Sequence, residues 1–147
     1  MAITIPDEYG YVLLAASSTF IVSFFHSGLT SRKRRAAGIK YPITYASPEQ
    51  AEKDPKAFAF NCAQRAHANF MENHTSALAA MLISGLKYPV YAAGLGAVWS
   101  VSRVFYALGY VNRGPQGREA GAAVGALANL TLVGMAVYTG LGAALKW

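Results

Sequence analysis

Charge is what this sequence has least of. Only 14% of its 147 residues are Asp, Glu, Lys or Arg, against 54% hydrophobic, and that charged share is about half of what a soluble domain carries. An ordinary water-facing surface is excluded over most of the chain. Acidic residues are the scarcer sign, seven against thirteen basic, for a net charge of +6. A nucleic-acid-binding domain displays its basic residues on a polar surface. Here long uncharged runs separate the basic clusters, a pattern that membrane topology accounts for better. Cys62 is the only cysteine, which excludes an intramolecular disulfide and any cysteine-based metal site. Its apolar helical context reads as a small buried hydrophobe. Met1 to Gly10 holds Asp7 and Glu8 but no basic residue, which is not the charge pattern of a cleavable signal peptide. The first hydrophobic run is therefore expected to stay as an uncleaved anchor. The length suits one domain.

What remains is four hydrophobic segments, and the fold they predict is all-α, an integral-membrane four-helix bundle. Residues 9–31 contain no Asp, Glu, Lys or Arg, and at about 1.5 Å per residue they reach across the ~30 Å hydrocarbon core. Residues 121–145 are equally uncharged, and residues 88–111 carry Arg103 alone. The weakest span is 57–86, whose first half is interrupted by Arg65, His67, Asn69, Glu72 and His74. Between the first two spans lies the only long connection, where Pro42, Pro48 and Pro55 are expected to break any helix. The first and third loops hold most of the Lys and Arg, whereas the opposite side has Lys87 and Lys146. The positive-inside rule puts loops one and three in the cytosol. Tyr9, Tyr11, Tyr88, Tyr91 and Trp147 then fall at the other face, where aromatic belts occur. Gly121 and Gly125 form a small-xxx-small pair, a signal of close helix packing.

Charged groups inside a span need a partner or a polar cavity, and mark a functional site by default. At 100° per residue, Asn61, Arg65, Asn69, Glu72 and Ser76 share one stripe of the second span, while His67 points elsewhere. An Arg65–Glu72 pair at i, i+7 that only neutralises itself is the bland alternative. In the third span Trp99, Arg103, Tyr106 and Tyr110 share a face, and for Tyr110 interface anchoring competes. Arg32, Lys33, Arg34 and Arg35 close the first span, and Arg113 and Arg118 follow the third. Each cluster alone is explained by topology or by anionic lipid headgroups. Taken together, arginines from three helix ends with one carboxylate, two Asn and two Tyr describe a pocket for a small polyanion that also carries an amine. Arginine's planar fork suits carboxylates and stays charged at any working pH.

Arg65-Ala66-His67-Ala68-Asn69-Phe70-Met71-Glu72 resembles the signature Arg-Ala-(His/Gln)-x-Asn-x-x-Glu of the MAPEG family, the membrane-associated proteins of eicosanoid and glutathione metabolism. Arg103-Val104-Phe105-Tyr106-Ala107-Leu108-Gly109-Tyr110 resembles its second signature, Arg-x-x-Tyr-x-x-Gly-Tyr. Glu8 to Leu14, Tyr41 to Tyr45 and Gly94-Leu95-Gly96 add further likeness, so that the resemblance covers nearly the whole chain.

The resemblance implies a homotrimer of four-helix subunits in the endoplasmic reticulum, with the mitochondrial outer membrane as an alternative. It implies glutathione as co-substrate, bound between subunits near the cytosolic side, with membrane lipid around it and no metal. Arg34, Arg65, His67, Asn69, Glu72, Tyr106 and Tyr110 would hold the tripeptide, with Arg103 assisting. Arg35 matches an arginine at the substrate end. Arg118, one residue offset in its loop, matches the arginine that activates the thiol. The implied activities are glutathione transfer to lipophilic electrophiles, glutathione-dependent reduction of lipid hydroperoxides, and a leukotriene C synthase-like addition. The alternative is a non-catalytic protein of the same fold that binds and presents lipid. One departure stands out: Asn73-His74-Thr75 occupies the stretch where the family often has an aromatic followed by proline. A kink and an aromatic contact are expected to be lost there, with His74 a polar substitute in the wall rather than a base.

Overall fold

Three prolines mark helix starts in the computed structural model, which describes residues 5–146. Pro48, Pro55 and Pro89 each sit in a first helical turn, where a missing N–H costs nothing and the fixed φ is already helical. The five helices are α1 (Tyr9–Ala36), α2 (Pro48–Lys53), α3 (Pro55–Gly85), α4 (Pro89–Arg113) and α5 (Glu119–Leu145), with a 3-10 turn at Gly114–Arg118. No strand occurs among the described residues. The four long helices overrun the four segments read from the sequence by a few residues at several ends, because capping groups rather than lipid decide where a helix stops. In the first loop Pro48 opens a helix instead of breaking one. Ser47 accepts from the Gln50 amide while the Gln50 side chain accepts from the Ser47 amide, a capping box that stabilises the single turn and a half of α2. Trp147 lies outside the described residues, as do the first residues of the N-terminal segment.

α3 and α4 pack against each other and both pack against α1, whereas α5 packs on α3 and α4 and does not reach α1. The core stacks in layers along the bundle. Val12, Ala16, Met81 and Leu132 fill one end, Val22, Phe70, Trp99 and Ala128 the middle, and Leu29, Ala63, Tyr106 and Val111 the other end. The exterior is apolar too. Leu14, Ile21, Phe24, Tyr91, Phe105, Leu127 and Leu130 are all exposed, the surface of a bundle solvated by lipid rather than by water. α1 and the stretch Pro89–Leu145 are long and apolar enough to cross a membrane. α3 owes its lesser hydrophobicity to the polar residues of its first half.

Glycines on α5 and around the 3-10 turn bring α5 against α4. A β-carbon on Gly121 would lie 2.6 Å from the Tyr106 amide nitrogen, and one on Gly109 would strike the Gly117 carbonyl. Gly114, with φ of 68°, ends α4 in a conformation that glycine alone adopts without strain. These contacts hold Arg118 beside the last turns of α4.

A polar cleft between α3, α4 and α5

Arg65, Asn69, Glu72 and Asn73 fall at i, i+4, i+7 and i+8 on α3, one face of the helix. Arg65 meets Glu72 at two points, 2.8 and 3.4 Å, the fork-to-carboxylate geometry that arginine favours. Asn69 closes on the same carboxylate at 3.5 Å through its amide nitrogen. Its carbonyl oxygen accepts from Arg103 of α4 at 3.1 Å. Asn73 donates to the Asn69 backbone carbonyl at 2.8 Å.

Arg103 is only 4% exposed. Its second terminal nitrogen donates to the Gly121 carbonyl at 2.9 Å, and its Nε is buried without a partner. The guanidinium lies 4.9 Å from the Tyr106 ring centroid, so cation–π attraction adds to the hydrogen bonds. At the end of the 3-10 turn, Arg118 donates to the Tyr106 hydroxyl at 3.2 Å and stands 4.9 Å over the Tyr110 ring. Tyr106 and Tyr110 meet edge to face at 5.9 Å. Asn69, Asn73, Arg103, Tyr106, Arg118 and Glu119 line a cleft of about 570 Å³, with cations on one wall and a carboxylate at its edge.

Six of the residues singled out in the sequence are thus joined in one network: Arg65, Asn69, Glu72, Arg103, Tyr106 and Arg118, with Tyr110 stacked beneath. Three others stand apart. Arg34 is buried at the end of α1, where it donates to the Ile43 carbonyl and lies between the rings of Tyr41 (4.4 Å) and Phe60 (4.6 Å). Arg35 is exposed. His67 turns toward α1, its ring 6.2 Å from that of His26. Asn61, on the same sequence stripe as Arg65, instead clamps the first loop by bonding both the amide and the carbonyl of Ala46. Ser76, also on that stripe, accepts from Asn129 of α5 at 3.1 Å.

Sequence reasoning missed Asn73 and Glu119 as cleft residues. Asn73 is one turn beyond Asn69, and that spacing was the available signal. Glu119 opens α5 directly after Arg118, and only the fold shows which way it faces. At the departure Asn73-His74-Thr75, α3 runs on unbroken to Gly85. His74 stacks on Phe70 at 5.0 Å and hydrogen-bonds to Thr19 at 2.8 Å, so its ring serves the packing between α3 and α1. Among the described residues no group of three or more His, Cys, Asp or Glu is placed to hold a metal ion.

Fold and site together define a helical membrane protein with a charged cleft between α3, α4 and α5. The family model of the MAPEG family matches residues 12–138. The chain belongs to the MAPEG family, which includes glutathione transferases and related proteins as well as non-catalytic members.

Proposed function

We propose that this protein is a membrane-bound glutathione transferase with glutathione peroxidase activity toward lipid hydroperoxides. Within the family its motifs are similar to those of microsomal glutathione transferase type three. The observation that carries the reading is the arrangement of Arg103 and Arg118 around Tyr106, with Asn69 and Glu72 alongside. Glutathione has two carboxylates, an ammonium and a thiol. Guanidinium groups match the carboxylates, Glu72 matches the ammonium, and the buried unpartnered Nε of Arg103 is a donor in want of an acceptor. The residues present fit the tripeptide.

Arg65 and Glu72 keep about half of their side-chain surface exposed, 45% and 50%, on the outside of a bundle that lies in lipid. An ion pair facing hydrocarbon is costly, so a second surface covers it. Assembly as a homotrimer supplies that cover and places glutathione between subunits. Loops one and three in the cytosol agree with the distribution of Lys and Arg, and the endoplasmic reticulum is the membrane that the family resemblance implies.

Arg118 stabilises the thiolate. A free thiol has a pKa near 8.5, and each unit of lowering needs about 1.4 kcal/mol of preferential stabilisation of the anion, which a close guanidinium in a partly dry site supplies. The thiolate attacks a carbon electrophile, with an epoxide lipid of the leukotriene type as one candidate. With a hydroperoxide it takes the terminal oxygen to give a sulfenic acid, and the released alkoxide is protonated to the alcohol. A second glutathione then yields the disulfide and water. Arg35 stands at the substrate end. Arginine is too basic to serve as a general base, so its role is electrostatic.

The alternative, a lipid-binding and lipid-presenting protein of the same fold, gains some support from Arg34, which is already engaged by Ile43, Tyr41 and Phe60. Titrating the purified protein with glutathione while following thiolate absorbance in the ultraviolet separates the two. A thiolate signal at neutral pH, lost in Arg118→Ala, is expected of the enzyme. Glutathione binding without that signal leaves the lipid-presenting protein.

A further inference from the structure

On the outer side of α4 and α5, away from the cation-lined face, runs a second cavity of about 740 Å³. Its walls are Val98, Val101, Phe105 and Leu108 of α4 and Val124 of α5. Phe105 is 65% exposed and Val101 54%, so the walls stand open to whatever surrounds the bundle. Its floor is the seam where Gly109, Gly117 and Gly121 let α4 and α5 meet backbone to backbone. From Ala97 to Arg113 the groove follows α4 for about 24 Å, longer than the ~15 Å of one leaflet's hydrocarbon. A chain lying in it is extended.

The groove is apolar along its length and polar at one end, where Asn112 and Arg113 close it. Both side chains are exposed, and Arg113 takes part in neither of the two ion pairs present among the described residues, Lys53–Glu49 and Arg65–Glu72. Glu119, the nearest acid in sequence, lines the polar cleft instead. A cation without a counter-charge at the mouth of an open apolar trough matches an anionic head on a hydrocarbon tail.

We propose that this groove is a binding site for an anionic phospholipid, its phosphate at Arg113 and Asn112 and one acyl chain along Val101, Phe105 and Leu108. The lipid is a resident of the assembled protein and occupies a surface distinct from the glutathione cleft. The two sites share a wall, since Ser102 and Gly121 line the groove while Gly121 accepts from Arg103. Phosphate is recognised here by charge and by the Asn112 amide, so phosphatidylglycerol is the suitable probe and zwitterionic phosphatidylcholine the control.

The full chain is purified and returned to vesicles of phosphatidylcholine and phosphatidylglycerol in equal amount. Phe105→Trp provides a reporter at an exposed site that tolerates the larger ring, and Val101→Trp, about one turn away, provides a second. The parent chain's own tryptophan signal is subtracted. Acyl chains of one lipid or the other are brominated, and quenching of the reporter is compared. Brominated phosphatidylglycerol is expected to quench about fivefold more effectively than brominated phosphatidylcholine, the preference that one basic residue near the surface gives. Arg113→Gln should bring the ratio to about one, and Arg113→Lys should keep it. Ala120→Phe, which fills the groove, should weaken quenching by both lipids. Equal quenching by the two lipids in both reporters overturns the proposal, as does a preference that survives Arg113→Gln. Absence of quenching by either lipid also overturns it. None of these outcomes depends on whether glutathione binds, so failure here leaves the enzyme reading standing.

Discussion

Arg103 of α4 and Asn69 of α3 are joined by a partly buried hydrogen bond of 3.1 Å. Because the donor is charged and Arg103 is almost fully covered, losing the acceptor leaves part of a guanidinium unsatisfied. Hydrogen bonds to charged groups contribute about 1.5–3 kcal/mol. Asn69→Ala is therefore expected to destabilise the protein by about that much, read as a lower midpoint of thermal unfolding in detergent. Asn69→Asp keeps an acceptor for Arg103 but replaces the amide that faces Glu72 at 3.5 Å with a second carboxylate, so it should recover only part of the loss. Equal stability of Asn69→Ala and the parent would remove this bond from the account.

The α4–α5 interface depends on glycine at particular places. In Gly121→Ala the new β-carbon would approach the Tyr106 backbone at 2.6 Å and the Ser102 carbonyl at 2.9 Å. Neither backbone atom can yield cheaply, and overpacking of this kind costs about 1–3 kcal/mol. Gly134→Ala meets nothing within 4 Å and should be neutral or slightly stabilising, given alanine's higher helix propensity. Thermal midpoints of the two variants, measured side by side, check the contrast.

Tyr106 positions Arg118. If Arg118 activates the thiol, Arg118→Ala should abolish the thiolate band and lower transferase kcat/KM by about a hundredfold, the scale of losing one electrostatic donor. Tyr106→Phe keeps the ring beside Arg103 and leaves Arg118 over Tyr110 but removes the hydroxyl that accepts from Arg118, and should give a smaller loss, mostly in kcat. An unchanged thiolate signal in Arg118→Ala would take the role from Arg118 and move it to Arg35.

Arg34 has two readings that one variant separates. Its guanidinium holds the first loop through Ile43, Tyr41 and Phe60. Arg34→Gln is expected to loosen residues 39–46 and to speed tryptic cleavage after Lys40 by about tenfold, the fold-change that about 1.4 kcal/mol of lost local stability gives. A fall in glutathione affinity with no change in cleavage would assign Arg34 to the ligand instead.

The two core histidines should respond in opposite senses. His26 stacks on Phe70 at 4.9 Å, and neither ring nitrogen has a partner. His26→Phe removes an unsatisfied polar group and should raise the unfolding midpoint. His74→Phe forfeits the 2.8 Å bond to Thr19 and leaves that hydroxyl with its local Ala16 carbonyl partner alone, which should lower the midpoint.

Much of this was legible in the chain itself. Uncharged runs over residues 9–31 and 121–145 and the spacing of Arg65, Asn69 and Glu72 are local facts, because helix periodicity alone decides which residues share a face. The pairing of Arg65 with Glu72 follows from that periodicity within one helix. Where sequence reasoning fell short, the deciding partner lay on another element. Asn61 and Ser76 sit on the Arg65 stripe, yet Asn61 is taken by the Ala46 backbone and Ser76 by Asn129. Arg34 stands next to Arg35 in a basic run, yet one is buried among aromatic rings and the other exposed.

By itself, then, the sequence determined that the chain forms four long helices in a largely apolar bundle and which residue types each helix brings to the polar layer, since hydrophobic length and helical period are properties of single segments. Only the tertiary structure decided that Arg103 reaches both Asn69 and Gly121, and that Arg118 comes to rest against Tyr106. The physical reason is the missing side chains of Gly109, Gly117 and Gly121. They let α5 and the turn before it approach α4 backbone to backbone, and that approach carries the two arginines into one cleft.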